Sequence, residues 1–463
     1  MNNLAHRLLV FLLLLLCLAP SVFAQTEPSD AEIKSILQDR VEKAKKTPGI
    51  VVGLVSDKGA RVVSFGKPEE TSATEVNGDS IFEIGSVTKV FTSILLEDLA
   101  EHGKLKLDDP IAKYLPATVH VPSRNGREIT FLDLATQTSG LPRMPDNFKP
   151  KDPNNPFADY TAEQLYDFLG HYTLTRDIGE KYEYSNVGVG LLGHVLTLVG
   201  GADYETLVVS HIDKPLGMDN TRVKLTPAMQ AHLAKGHDAN GKLVMNWDLL
   251  SLAGAGALRS SVNDMLKFVA ANMGVTKTNL YPTLEKTQLK RKETGTADLS
   301  IAMGWHILSR FGTEIVWHNG GTGGYHSFIG FNKAKRLGVV VLSNSANDID
   351  DIGRHLLESQ YPLTKYVAPS ERKAISVDPK ILESYVGDYQ LTPNLVVSIT
   401  KEDDKMFLQV TGQQKVELFA ESETNFFLKV ADVQITFAKD DKGQVDHLVL
   451  HQNGQNIPAK KVK

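Results

Sequence analysis

Ser86 and Lys89 stand three residues apart in Gly85-Ser86-Val87-Thr88-Lys89-Val90-Phe91, where a helical pattern begins. At that spacing two side chains share one helix face. The helix N-terminus adds backbone N–H groups and a partial positive charge beside the serine. A serine hydroxyl is a weak nucleophile until a neighbour takes its proton. A lysine amine takes it only where burial or a second cation keeps the amine neutral. Alone, the pair reads more simply as an N-cap and a solvated charge.

Two later segments shift that balance. Tyr184-Ser185-Asn186 follows Gly179-Glu180-Lys181-Tyr182 and opens the helical run Val187–Val199. A phenol close to an amine relays a proton, and an asparagine amide holds both the lysine and a substrate amide. Trp317-His318-Asn319-Gly320-Gly321 reads as a strand whose glycines let a substrate lie against the sheet edge. Singly these are a cap, a core tyrosine and a turn. Together, in this order, they predict one site for nucleophilic attack on a carbonyl.

The elements that must position these residues follow from periodicity. Ile33, Ile36, Leu37 and Val41 fall at helical spacing between Ser29 and Lys46, with Ser29 or Asp30 as N-cap. Ile50–Val55 and Arg61–Phe65 flank the turn Asp57-Lys58-Gly59 and predict a hairpin. A helix from about Ser86 to His102 and a polar, Pro-rich middle come next. Strands return at Ile315–Asn319, Ser327–Phe331 and Leu337–Leu342. Strands at both ends with helices between predict one sheet, built from distant segments, carrying a helical insertion. After the linker-like stretch Pro362–Pro379 come six short alternating runs: Leu395–Thr400, Met406–Thr411, Val416–Glu421, Phe426–Val430, Val433–Ala438 and His447–His451. Strands at this spacing predict a small β-barrel or sandwich.

Composition removes several functions. The 463 residues, 42% hydrophobic and 23% charged, suit a soluble two-domain protein. Lys and Arg (50) nearly balance Asp and Glu (55) and are scattered, so nucleic acid is not an expected partner. Cys17 is the single cysteine and lies in the leader, which excludes disulfides, thiol catalysis and Cys-based zinc sites in a processed chain. His6 and Arg7, the apolar run Leu8–Leu18 and the end Val22-Phe23-Ala24 form the layout of a secretory signal peptide cleaved after Ala24. A membrane anchor is the competing reading. The run is shorter than the roughly 20 residues a span needs, and no second apolar segment follows. Cys17 lacks the small neighbours of a lipid-attachment site. His102, His237 and His355 read as surface or structural, with no H-E-x-x-H. No G-x-S-x-G elbow, phosphate loop or dinucleotide fingerprint occurs. Neither a metal nor a cofactor is expected.

S-x-x-K at Ser86, Y-x-N at Tyr184 and H-x-G at His318 resemble the motif set of the serine β-lactamase and penicillin-recognising hydrolase superfamily. The class C-like branch, of peptidase S12 type, is the most similar. Leu134-Ala135-Thr136-Gln137-Thr138-Ser139-Gly140-Leu141-Pro142, Pro215-Leu216-Gly217-Met218, Ala253–Leu258 and Gly304-Trp305 are similar landmarks, and the resemblance spans about Ile33 to Leu357. It implies an α+β fold, an antiparallel sheet flanked by helices, with the site between sheet and helical subdomain. The tail from Tyr385-Val386-Gly387-Asp388-Tyr389 is similar to a lipocalin-like β domain. The expected division is a signal peptide (1–24), a hydrolase domain (25–361), a linker (362–379) and a small all-β barrel (380–463).

Carried across, Ser86 is the nucleophile, and Lys89 and Tyr184 share the general-base and general-acid work. Asn186 orients them, His318 and Gly320 face the substrate, and the backbone N–H groups of Ser86 and Gly321 form an oxyanion hole. Gln137 stands where the branch usually has His, which leaves that loop's role open. His318 occupies the position that is Lys in β-lactamases. An imidazole is mostly neutral at pH 7, so capture of an acidic substrate group is expected to weaken. The resulting expectation is an exported, periplasmic or secreted serine hydrolase without a stable membrane span after signal removal. Its substrates would be small esters or D-amino-acid-containing peptides and amides. The alternatives are a β-lactamase or DD-carboxypeptidase, or a sensor that acylates without turnover.

Overall fold

The computed structural model describes residues 27–364, 372–392, 395–411, 415–429, 433–440, 442–452 and 455–462, so the signal-peptide reading of residues 1–24 lies outside it. The first helix, α1 (Asp30–Gln38), starts at Ser29, whose hydroxyl accepts the Glu32 N–H at 3.2 Å. Ile33, Ile36 and Leu37 are its buried stripe.

The hairpin strands β1 (Gly49–Ser56) and β2 (Gly59–Gly66) join six later strands: β3 (Lys292–Glu293), β4 (Leu299–Ile301), β5 (His306–Arg310), β6 (Thr313–Gly321), β7 (His326–Asn332) and β8 (Leu337–Ser343). The sheet order is β2-β1-β8-β7-β6-β5-β4-β3, and every neighbouring pair is antiparallel. β1 reads Gly-Ile-Val-Val-Gly-Leu-Val-Ser and is buried throughout, because helices cover both faces of the sheet. Ile50, Val52 and Leu54 pack under α1 and the late helix Asp350–Leu357. Val51 and Val55 face the opposite core, which is continuous with the helical region.

At the centre of that region lies α2 (Thr88–Glu101), buried from Thr88 to Leu99. It packs against α3 (Asn186–Gly200) and against the segment Ala253–Ala255, where Thr92 Oγ1 stands 2.7 Å from the Gly254 carbonyl oxygen. The predicted helix at Ser86 thus begins two residues later, after a single 3₁₀ turn over Gly85–Val87.

The tail is a closed eight-stranded barrel of consecutive antiparallel pairs: Gly387–Thr392, Leu395–Glu402, Lys405–Val410, Val416–Ala420, Asn425–Phe427, Val433–Lys439, Val445–Gln452 and Gln455–Lys461. Tyr389↔Lys461 pairing closes it. Its core, with Tyr385 stacked on Phe437 at 4.1 Å, draws only on residues of the tail. Six of these strands match predicted runs; the first and last do not, the last running through Pro458. Residues 372–378, within the stretch read as a linker, run along the barrel. There the Arg372 guanidinium donates to both Glu421 oxygens at 2.9 and 2.7 Å, and Ile375 N donates to the Ala420 carbonyl at 2.9 Å.

Candidate active site

Ser86 sits half-buried on the 3₁₀ turn between the short strand Ile81–Glu83 and α2. Two glycines bring the end of β6 hard against this turn. Gly85 has φ +49°, and a Cβ there would lie 2.9 Å from Gly321 N. A Cβ on Gly320 would lie 2.0 Å from the Ile84 carbonyl oxygen and 2.9 Å from Ser86 N. No side chain fits at either position, so the backbones of Ser86 and Gly321 come close together. Ser327 Oγ donates to the Ile84 oxygen at 2.8 Å and ties β7 to the same turn.

Lys89 is 0% exposed. Its Nζ stands 2.9 Å from Ser86 Oγ and donates to the Ala255 carbonyl oxygen at 2.6 Å. Among the described residues no carboxylate pairs with it. Burial, with the nearby Arg143 guanidinium as a second cause, pushes the amine well below the ordinary lysine range. A neutral amine keeps an N–H for Ala255 and offers its lone pair to the serine proton.

Tyr184 faces the same hydroxyl, with its ring 4.8 Å from Lys89 Nζ. Burial pushes its phenol up to about 12, against the smaller opposing effects of the Ser86 hydrogen bond and Arg143. At neutral pH it is a proton donor. Its position is fixed by its two chain neighbours: Glu183 N donates to the Gln137 carbonyl at 2.8 Å, and Ser185 N donates to Gln137 Oε1 at 2.7 Å. Ser185 Oγ donates to the Pro142 carbonyl at 2.6 Å and caps α3 by accepting the Gly188 N–H at 2.8 Å. Gln137 is buried at φ +60°. The loop whose role the sequence left open is therefore the clamp on Tyr184.

Asn186 departs from its expected contact. Its amide nitrogen donates to Met144 Sδ at 3.7 Å, while Lys89 is held by Ser86 and Ala255. His318 is 1% exposed. Its Nδ1 lies 2.5 Å from the Asn319 carbonyl oxygen, so the neutral ring carries its proton there and leaves Nε2 as an acceptor. Burial, then the neighbouring His306 and Lys89, hold His318 well below the usual imidazole range. His306, 5.1 Å away between ring centres, is brought down to about 4 by burial, and its Nε2 contacts Tyr182 OH at 2.9 Å.

Sequence reasoning missed His306, Tyr182, Arg143 and the Ala255 carbonyl. The last has no side-chain signal at all, since any residue supplies a carbonyl. Sequence spacing also gave no hint that His326, Asp348 and Asp350 converge, with candidate ligand atoms within 4.8 Å. Internal hydrogen bonds already engage this cluster: Asn319 Nδ2 to Asp350 Oδ2 at 2.7 Å, His326 Nε2 with Asp350 Oδ1 at 3.1 Å, and Asp350 N to Asp348 Oδ1 at 2.7 Å.

The turn thus gathers the Ser86 hydroxyl, an amine pushed toward neutrality and a protonated phenol, with the backbone of Gly320-Gly321 packed against the Ser86 turn. The Beta-lactamase family model matches residues 33–359, and a domain of unknown function, DUF3471, matches residues 371–461. Penicillin-binding protein 4* of Bacillus subtilis (strain 168) is 26% identical over 427 residues, covering 86% of this chain and 92% of its own length. D-alanyl-D-alanine-carboxypeptidase/endopeptidase AmpH of Escherichia coli (strain K12) is 28% identical, covering 68% of this chain and 85% of that protein. A solved structure of a Beta-lactamase/D-alanine Carboxypeptidase from Yersinia pestis superposes with a TM-score of 0.62 at 25% identity. That match covers 71% of this chain and 99% of the other.

Proposed function

The chain belongs to the Beta-lactamase family, and from that premise we propose that it is an exported serine hydrolase working through an acyl-Ser86 intermediate on small esters or D-amino-acid-containing peptides and amides. The observation that carries this reading is the opposed tuning of two groups around one hydroxyl. Lys89, driven toward the neutral amine, stands 2.9 Å from Ser86 Oγ. Tyr184, driven toward the protonated phenol, faces it as well. Two titratable groups pushed apart by their environments mark base and acid.

Lys89 Nζ takes the Ser86 proton as Oγ attacks the carbonyl carbon. The oxygen that gains charge meets the N–H groups of Ser86 and Gly321. Tyr184 then protonates the leaving alkoxide or amine as the old C–O or C–N bond breaks, and is reprotonated through Lys89. Water repeats the sequence on the acyl-serine, restoring Ser86 and releasing the acid. Each oxyanion donor is typically worth about 10²–10³ in rate.

Support for the substrate class comes from the relatives' names, which include D-alanyl-D-alanine peptidase activity, and from a neutral His318 at the third box. β-Lactamase activity is the second reading, favoured by the Beta-lactamase of Escherichia coli (strain K12), 25% identical over 367 residues. The deciding experiment pairs a fluorophosphonate probe, read by peptide mass spectrometry, with turnover of p-nitrophenyl esters, D-amino-acid amides and a chromogenic cephalosporin. The label is expected on the Ser86 peptide, with turnover lost in Ser86→Ala. A label elsewhere overturns the assignment, and an acylation burst without steady state marks a sensor instead.

A further inference from the structure

Arg143 lies directly after the Leu141-Pro142 end of the loop that carries Gln137, and its side chain is exposed. Its backbone is not free: the Arg143 carbonyl accepts Asn186 N at 2.9 Å and Val187 N at 3.3 Å, fixing it to the start of α3. The guanidinium stacks over the Tyr184 ring at 5.2 Å, on the residue that donates the leaving-group proton. Among the described residues no carboxylate or hydrogen-bond acceptor engages it. The nearby acids are committed elsewhere, Asp146 to His171 Nε2 at 2.9 Å and Glu183 to Arg176 at 2.8 Å.

An arginine held at its backbone, stacked on the catalytic phenol and left with an open fork of donors is built to receive a planar anion. Across the site, His318 is buried and neutral and supplies no charge. We propose that Arg143 is the anchor for a carboxylate carried on the leaving group, so that recognition of an acidic substrate comes from the loop wall beside Tyr184 rather than from β6. The guanidinium lies against the ring of the proposed leaving-group donor, so the leaving group's carboxylate is assigned to that side of the site. The substrate class is then an ester or amide whose leaving alcohol or amine bears a free carboxylate, as an amino acid with a free C-terminus does. This rests on the acyl-Ser86 reading above and adds the residue that selects among its substrates.

The test compares kcat/KM for phenyl acetate and 3-acetoxybenzoate, which share an acyl group and differ in the carboxylate on the leaving phenol. Wild type, Arg143→Gln and Arg143→Lys are measured at low and high NaCl. Arg143→Gln is expected to lower the ratio of acidic to neutral substrate about tenfold, chiefly through KM, the scale of one charge-assisted contact. Arg143→Lys recovers part of the ratio, and salt shrinks it in wild type but not in the glutamine variant. An unchanged ratio overturns the proposal. So does an equal fall for both esters, which would mean that Arg143 acts only through its field on Tyr184 and Lys89. Fluorophosphonate labelling of Ser86 in each variant reports an intact site. If labelling succeeds and the ratio stays fixed, this inference alone falls; if wild type neither labels nor turns over, the acyl-serine reading falls with it.

Discussion

Gln137 holds Ser185 by a 2.7 Å hydrogen bond from the backbone N–H to Oε1, while its own carbonyl takes the Glu183 N–H at 2.8 Å. One buried residue therefore grips the chain on both sides of Tyr184. Gln137→Leu keeps the volume but orphans the Ser185 N–H, at a cost of about 1–3 kcal/mol. Thermal unfolding should register that loss, and kcat should fall at least about tenfold because the phenol is no longer held. Gln137→Glu keeps an acceptor and should recover much of both. A glutamate variant no better than leucine would show that the contact is incidental.

Lys89 and Tyr184 share one hydroxyl and should behave as one proton-transfer unit. Lys89→Met and Tyr184→Phe are each expected to lower kcat by about 10²–10⁴. The double variant should be little worse than the worse single, because residues acting as a unit are not additive. Pre-steady-state acylation measured across the cycle checks this; fully additive losses would mean independent roles.

The two buried imidazoles should be silent in activity near neutrality. With His306 near 4 and His318 well below 6.5, the preference between neutral and acidic substrates should stay flat from pH 5.5 to 8. Stability should not. A histidine with a depressed folded-state pKa binds fewer protons folded than unfolded, so its contribution is full above about 6.5. It is lost as pH falls from there to about 4, by up to about 3 kcal/mol for His306 alone. Denaturant melts at pH 7.5 and 5 read the difference, and His306→Gln should shrink it, leaving the part that His318 contributes. A selectivity ratio that titrates near 6.5 would place His318 in contact with water.

The barrel should be dispensable for acylation. Every residue proposed for the chemistry precedes residue 322, and the barrel core uses only residues of the tail. A chain ended after Pro369 should still take the fluorophosphonate label at Ser86. If it folds by circular dichroism yet fails to label, the barrel supplies part of the site.

The groups proposed for catalysis are legible because such chemistry demands particular side chains at particular spacings: Ser86 with Lys89 three residues on, Tyr184 before Asn186, and glycines after His318. The sheet was legible because β1 and β8 read as unbroken apolar runs. What stayed hidden acts through the backbone or through distant approach. Ala255 contributes a carbonyl, which no residue type encodes. Gln137 looked like a departure because its acceptor grips a segment 48 positions away. Arg143 carries no sequence signal, because its place over the Tyr184 ring comes from the fold. The final barrel strand is hidden by Pro458, because a proline inside a run argues against a strand when only the sequence is read.

The sheet order has a consequence for how the molecule comes into being. β1 can complete its pairing only with β8, and Thr47 and Ser343, joined by a 2.9 Å hydrogen bond, are 296 positions apart. Such non-local closure is slow to find. A partly synthesised or partly refolded chain must therefore carry the central strand Ile50–Val55 unsheltered until residue 343 arrives. Recovery after denaturation should accordingly be slow and concentration-sensitive, with aggregation competing against closure of the sheet.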